Sequence, residues 1–355
     1  MKTGRSDMNS FIQLLLSEII SSFSGQWLSQ YIMTIVMIPL LFLMVTVGYV
    51  FFVPVENRRP EFSSMKGFFH FVVDVAIYAI PMLIVFALVH MQTTAATLLG
   101  IPANQNYARY IMILEGNVVS LLQEIATPLL TYVSGFFYLL MFPFLMVFTF
   151  LLLVYLQRHK AVQEFVVAFI LIYMLAFPFY VLFPVHVTGY TLSGVSPLLY
   201  NLSPLIAEGV RIVDPELNNC FPSLHAALSV MAMIMVLHNV KSRRYQAFAV
   251  ITTATILFTI LYLGIHWLSD LIAGTLLAIV CCMIAFHYSE RFFAIYRWIV
   301  AMIAWKFKGP ALPCVGCNRR INFDSVMQCD YCGTEYNLKG RVGSLLKRFR
   351  KRFSP

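Results

Sequence analysis

Charge is what this sequence has least of. Only 12% of its 355 residues are Asp, Glu, Lys or Arg, against 60% hydrophobic. Several apolar runs reach about 20 residues, the length that crosses a bilayer core of about 30 Å. That excludes a soluble globular enzyme. Acidic residues number 16, and no carboxylate cluster accompanies the histidines discussed below, so catalysis is expected to need no metal or other cofactor. Cysteine is sparse as well: of seven, Cys220, Cys281 and Cys282 suggest no disulfide framework. The formal net charge of +9 belongs to the tail, because residues 290–355 hold 13 of the 25 basic and 4 of the 16 acidic residues. The remainder balances at 12 against 12.

What is present reads as about seven spans, at residues 31–53, 68–90, 129–156, 165–183, 223–240, 247–265 and 267–288. The expected fold class is therefore all-α, a polytopic helical membrane protein. Residues 1–30 form an N-terminal interfacial segment, in which Phe11 to Phe23 reads as an amphipathic helix rather than a span or cleavable signal. Residues 31–160 carry the N-terminal spans, and 161–289 the core with the chemically interesting motifs. Pro128 and Pro143 are expected to kink the third span. Residues 290–312 read as an interfacial helix and linker.

Loop charges give an orientation, since short cytoplasmic loops collect Lys and Arg. Arg58, Arg59 and Lys66, then Arg158 and Lys160, then Lys241, Arg243 and Arg244 fall in alternate loops, while the intervening ones hold only Arg109 and Arg211. The N-terminus is then outside and the C-terminus cytoplasmic. The tail agrees. Cys314-x-x-Cys317 and Cys329-x-x-Cys332 have the spacing of a four-thiolate zinc ribbon over 313–338, with Gly316 and Gly333 in the knuckles. Reduced thiols belong in a reducing compartment. A structural zinc ion there, and a cytoplasmic protein partner docking on the ribbon, are the expectations. Residues 339–355 end in the basic, apolar-interleaved run from Leu345 to Phe353, suited to anionic lipid headgroups at about 1 kcal/mol per basic residue. Nucleic acid is a weaker alternative, and a merely solvated terminus a third.

On the outer face, Phe221-Pro222-Ser223-Leu224-His225 and His266-Trp267-Leu268-Ser269-Asp270 place two histidines and a carboxylate at helix mouths. Ionisable groups near lipid are costly unless paired, so their presence at helix mouths marks a candidate functional site. Pro222 suits the first turn of a helix, Ser223 can leave its hydroxyl outward, and the free N–H groups of the helix start form a seat for phosphate. His266 and Asp270, four residues apart, share a helical face, so the carboxylate can hold one imidazole nitrogen and free the other for attack. An ordinary helix start and a structural His–Asp hydrogen bond are the bland readings of each part alone. Together they suit phosphoryl transfer through a phosphohistidine, with His225 moving the proton. A non-catalytic scaffold built around the tail is the reading from another class.

These residues resemble the type 2 phosphatidic acid phosphatase superfamily, over about residues 160 to 290. The inositol phosphorylceramide synthase branch is the closer likeness, through Pro222-Ser223-Leu224-His225-Ala226, Leu263-Gly264-Ile265-His266 and Asp270-Leu271-Ile272-Ala273-Gly274. The resemblance implies a six-helix phosphatase-type core, His266 as nucleophile, Asp270 as its orienter, His225 as general acid and later base, and Ser223 in the phosphate cradle. It implies membrane lipids as partners and a lipid-linked phosphate as substrate, with inositolphosphotransferase-like transfer or, alternatively, hydrolysis of a lipid phosphate or polyprenyl diphosphate. The pattern departs from the broader superfamily in two places. No Lys precedes an Arg-Pro pair by seven residues, and Ile260 stands where an arginine is expected. Substitute phosphate-binding groups on the outer side are Arg211, His186 and Tyr190, with Arg109 a further cation.

Overall fold

The computed structural model describes residues 26–54, 58, 65–89, 91–102, 105–214, 216–308 and four short strand segments of the tail, 311–313, 320–322, 327–328 and 335–336. The interfacial helix expected at Phe11 to Phe23, the four tail cysteines Cys314, Cys317, Cys329 and Cys332, and the basic terminus all lie outside the described residues.

In chain order the helices are α1 (Gln26–Phe52), α2 (Met65–Val89), α3 (Gln92–Leu98), α4 (Ala108–Glu115), α5 (Val118–Gln123), α6 (Pro128–Phe136), a π-helical turn (Phe137–Met141) and α7 (Phe142–Tyr155). Then follow α8 (His159–Leu182), α9 (Thr188–Thr191), α10 (Leu198–Asn201), α11 (Pro204–Val213), α12 (Leu224–Asn239), α13 (Arg243–Tyr262) and α14 (Leu268–Lys308). In the tail, β1 (Ala311–Pro313) pairs antiparallel with β2 (Arg320–Asn322), and β3 (Met327–Gln328) with β4 (Glu335–Tyr336).

Six helical stretches among the described residues are long and apolar enough to cross a bilayer, and α12 is a shorter apolar helix of 16 residues. At 1.5 Å per residue α12 spans only about 24 Å, so it suits the middle of a bundle rather than its lipid face. Its sequence explains that position. Ala226, Ala227, Ser229 and Ala232 are buried and small, letting α8, α13 and α14 approach closely. Thr253 of α13 donates from its hydroxyl to the Ser229 carbonyl at 3.2 Å, a cross-helix hydrogen bond inside the core. The large apolar side chains left exposed, Phe42 and Phe51 on α1 and Leu83 and Ile84 on α2 among them, are what lipid would cover.

Three sequence expectations change. Pro128 does not kink the third span: it is the first residue of α6, after Thr127, whose side chain accepts from the Leu130 N–H at 3.2 Å. Proline is tolerated there because that N–H would lack a partner anyway. The irregularity instead lies just before Pro143, in the π turn, whose last residue precedes α7 by one position. Secondly, no separate interfacial helix begins near residue 290. Helix α14 runs unbroken for 41 residues, since no Gly or Pro interrupts it between Gly274 and Gly309. Thirdly, Pro222 is not in the first turn of its helix; α12 starts at Leu224, with Ser223 as its cap.

Candidate active site

The site grows from the meeting of two helix starts. Gly274 of α14 lies against the Ser223 carbonyl and the Ala226 side chain so closely that an added Cβ would collide with that carbonyl. The Ser223 N–H donates to the backbone carbonyl of Asp270 at 3.1 Å. These two contacts bring the α12 and α14 motifs, separated widely in sequence, to one place.

Each start is fixed locally. Ser223 is fully buried, and its Oγ accepts from the Ala226 N–H at 3.2 Å, so it caps α12. The sequence reading had the hydroxyl facing outward. The capping bond turns it in, because a serine at this position satisfies one of the helix's orphan donors. Tyr180 donates its hydroxyl to the Pro222 carbonyl at 2.8 Å. Upstream, Asp214 accepts from the N–H groups of Asn218 and Asn219 at 3.3 and 3.1 Å. Val185 and Val187 donate to Asn218 and Leu217, and Cys220 donates to Val185, a strand-like clip that delivers the chain to Pro222. Burial raises the Asp214 carboxyl above its usual range, against the three amide bonds that lower it.

The second motif sits in the turn between α13 and α14. Gly264 adopts a φ of 73°, and a Cβ there would stand 2.6 Å from the Ser196 carbonyl. Gly189 donates its N–H to the Gly264 carbonyl at 2.8 Å. Gln123 of α5 ties the same corner, donating to the carbonyls of Ser196 and Tyr262 and accepting from the Ser196 N–H. On this platform the His266 Nδ1 lies 3.3 Å from Asp270 Oδ2. The same Oδ2 accepts from the Trp267 N–H at 2.8 Å, so Asp270 both holds the imidazole and caps α14. His266 is buried. Burial pushes its imidazole well below the usual histidine range, opposed in part by the Cys220 backbone, so the ring is neutral at ordinary pH.

His225, on the first turn of α12, faces this pair, its ring centroid 5.7 Å from that of His266. It packs against two tilted aromatic rings, Tyr138 at 4.6 Å and Phe142 at 4.7 Å between centroids. Both aromatics come from the π-turn region, and one-turn π bulges recur at functional sites because they re-aim side chains inside a helix.

The three sequence candidates for phosphate binding fall differently. His186 adjoins the site: its carbonyl accepts from the Trp267 indole at 2.9 Å, and its Nε2 is buried with no hydrogen-bond partner. Tyr190 is exposed and packs on Tyr200, ring centroids 5.4 Å apart. Arg211, in the last turn of α11, is exposed, and no ion pair or contact among the described residues ties it to the histidines.

Four contributors escaped the sequence reading: Tyr138, Phe142, Cys220 and Glu115. Glu115, the last residue of α4, accepts from the N–H groups of Leu268 and Ser269 at 3.1 and 2.8 Å and so holds the start of α14. A signal for it existed. An acidic residue at the C-terminal end of a helix, followed by Gly116 at a φ of 63°, opposes the helix dipole and so calls for a tertiary partner.

No curated protein and no solved structure gives a significant match. Residues 113–284, just under half of the chain and holding Glu115, Ser223, His225, His266 and Asp270, match the family model described as the PAP2 superfamily, and this helical, multi-pass membrane protein is accordingly an enzyme of the phosphatase or phosphotransferase type.

Proposed function

We propose that the enzyme moves a phosphoryl-containing group from a membrane lipid to an alcohol, in the manner of an inositolphosphotransferase, through a phosphohistidine on His266. The observation that carries this is the buried His266–Asp270 contact of 3.3 Å, with the His225 ring beside it at the α12 start. With Nδ1 engaged by the carboxylate, Nε2 is the nitrogen that attacks. The P–O bond to the leaving group breaks, and His225 gives that oxygen its proton. The acceptor hydroxyl then attacks phosphorus, returning its proton to His225 as the P–N bond breaks. Asp270 keeps the ring oriented throughout, and Ser223 shapes the cradle.

Charge on the phosphate needs donors in the transition state. The first N–H groups of α12 have no intrahelical acceptor and supply some of them. Arg211, His186 and Tyr190 remain candidates for the rest, His186 being the best placed. The loop charges support an outer or lumenal active site with the tail in the cytoplasm, where a structural zinc ion on Cys314, Cys317, Cys329 and Cys332, a docking partner and anionic headgroups would be met. Catalysis itself calls for no cofactor.

The test uses purified protein in nanodiscs containing a phospholipid with a phosphorylated polyol headgroup, with and without a lipid alcohol. Transfer of the intact headgroup to the alcohol, lost in His266→Asn, is expected. Release of phosphate or headgroup to water at a rate indifferent to the alcohol would replace transfer by hydrolysis. Full turnover by His266→Asn would rule out this site as the place of catalysis.

A further inference from the structure

One group at this site has no part in the phosphoryl transfer. Cys220 is a free, buried thiol three residues before Ser223, and its Sγ donates to the Ile265 carbonyl at 3.4 Å. A ligand atom from each of Cys220, His266 and Asp270 lies within 4.8 Å of the others. Around a tetrahedral zinc ion, with bonds of about 2.0 to 2.3 Å, neighbouring ligand atoms stand roughly 3.3 to 3.8 Å apart. The His266–Asp270 pair already stands at 3.3 Å, so only Cys220 needs to approach, by about an ångström at most, for the three to share one ion.

Two observations point to a cation. Asp270 is fully buried with its Oδ1 lacking any hydrogen-bond partner, and among the described residues no Lys or Arg pairs with it. Buried carboxylates are rarely left so, because an unpaired polar atom away from water costs free energy. A thiolate, a carboxylate and a neutral imidazole together carry two negative charges, which a divalent ion balances. Sulfur and imidazole ligands select zinc-like metals over magnesium or calcium.

We infer that Cys220, His266 and Asp270 form an inhibitory site for a zinc-class divalent cation, which on binding takes the imidazole and carboxylate that phosphoryl transfer requires. The Cys220 S–H bond breaks, its proton passes to solvent, and a sulfur–metal bond forms. The His266 proton shifts from Nδ1 to Nε2, Nδ1 binds the ion in place of the His266–Asp270 hydrogen bond, and a fourth position is left for water. Any path that brings a phosphate to His266 is wide enough for a bare or partly hydrated ion. Inhibition rests on the proposed role of His266; metal binding does not.

The experiment titrates full-length protein in nanodiscs with cobalt(II) and compares wild type with Cys220→Ala. Tail cysteines are common to both, so the difference spectrum isolates Cys220. A thiolate-to-cobalt charge-transfer band is expected in that difference; identical spectra would overturn the site. If Cys220→Ala does not fold, Cys220→Ser gives the same comparison with the volume kept. Zinc inhibition of turnover is then measured against each variant's own metal-free rate. Even an outer-shell partner is worth about 10- to 100-fold in metal affinity, so loss of this ligand should raise the half-inhibiting zinc concentration at least about tenfold. Equal inhibition of both proteins, or stimulation by zinc, would overturn the inhibitory role. An enzyme inactive on every lipid phosphate would instead count against the proposed function, while the cobalt difference still decides the site.

Discussion

Replacing Glu115 by alanine tests whether helix α4 holds the start of α14 in place. Its two carboxylate oxygens accept from the Leu268 and Ser269 N–H groups, which are among the orphan donors of α14. A hydrogen bond to a charged group contributes about 1.5–3 kcal/mol, and a carboxylate at a helix N-terminus about 0.3–1 kcal/mol more. Glu115 is half-buried, so water can reach the freed amides and replace part of this. A loss of about 1–3 kcal/mol remains, enough to lower the melting temperature by several degrees. His266 precedes Leu268 by two positions, so relaxation of the helix start on the order of 1 Å should cut turnover by about 100-fold. Thermal unfolding followed by tryptophan fluorescence, and lipid-phosphate turnover in nanodiscs, read the two effects. Glu115→Gln keeps one oxygen acceptor and should fall between. It should also flatten the pH dependence. Burial raises the Glu115 carboxyl above its ordinary 4.5, so in the window above 4.5 the folded protein holds a proton the unfolded chain has lost, and stability falls as pH rises through it. The glutamine variant lacks that slope. Melting within about a degree and turnover within about threefold of wild type in Glu115→Ala would refute the positioning role.

Other perturbations reach the same geometry from different sides. Gly264→Ala places a Cβ 2.6 Å from the Ser196 carbonyl at a φ of 73°; strain of at least about 1–2 kcal/mol should appear as a lower melting temperature, and a neutral result would mean the turn is slack. Gly274→Ala should drive the α12 and α14 starts apart, leaving helical content intact by circular dichroism while turnover falls by about 100-fold; unchanged turnover would separate that contact from catalysis. His266 is held neutral by burial, a depressed base whose contribution to stability is lost as pH falls below the ordinary histidine value near 6.5. The acid limb of kcat/KM attributable to it should accordingly lie below that value, and a His266-dependent half-maximum at 6.5 would contradict the burial argument. Tyr138→Phe preserves the ring packed against His225 and should keep most activity, whereas Tyr138→Ala, losing a contact of about 0.5–1.5 kcal/mol, should cost several-fold in kcat; equal effects of the two would assign the role to the hydroxyl.

The helices and the juxtaposition of His266 with Asp270 were legible because each depends on local pattern: apolar length for the spans, and a four-residue spacing that puts the two side chains on one face whatever surrounds them. The remainder depended on contacts between distant segments, which a single sequence does not display. Glu115 reaches residues 268 and 269 from over 150 positions away, and Tyr138 meets His225 from within a π turn that the sequence does not announce. These contacts change the problem of the missing cationic clamp, raised by Ile260 standing in place of an arginine. Two helix starts meet at the site, and either alone could receive a phosphate. The α14 start is already occupied, since Asp270 takes the Trp267 N–H and Glu115 the next two. An incoming anion would meet two carboxylates there. The α12 start carries no acidic side chain in its first turn, and among the described residues the Ser223 hydroxyl is the one side chain that takes one of its donors. For the proposed reaction, the α12 start over Leu224 and His225 is therefore the expected seat of the phosphate, and the α14 start is not.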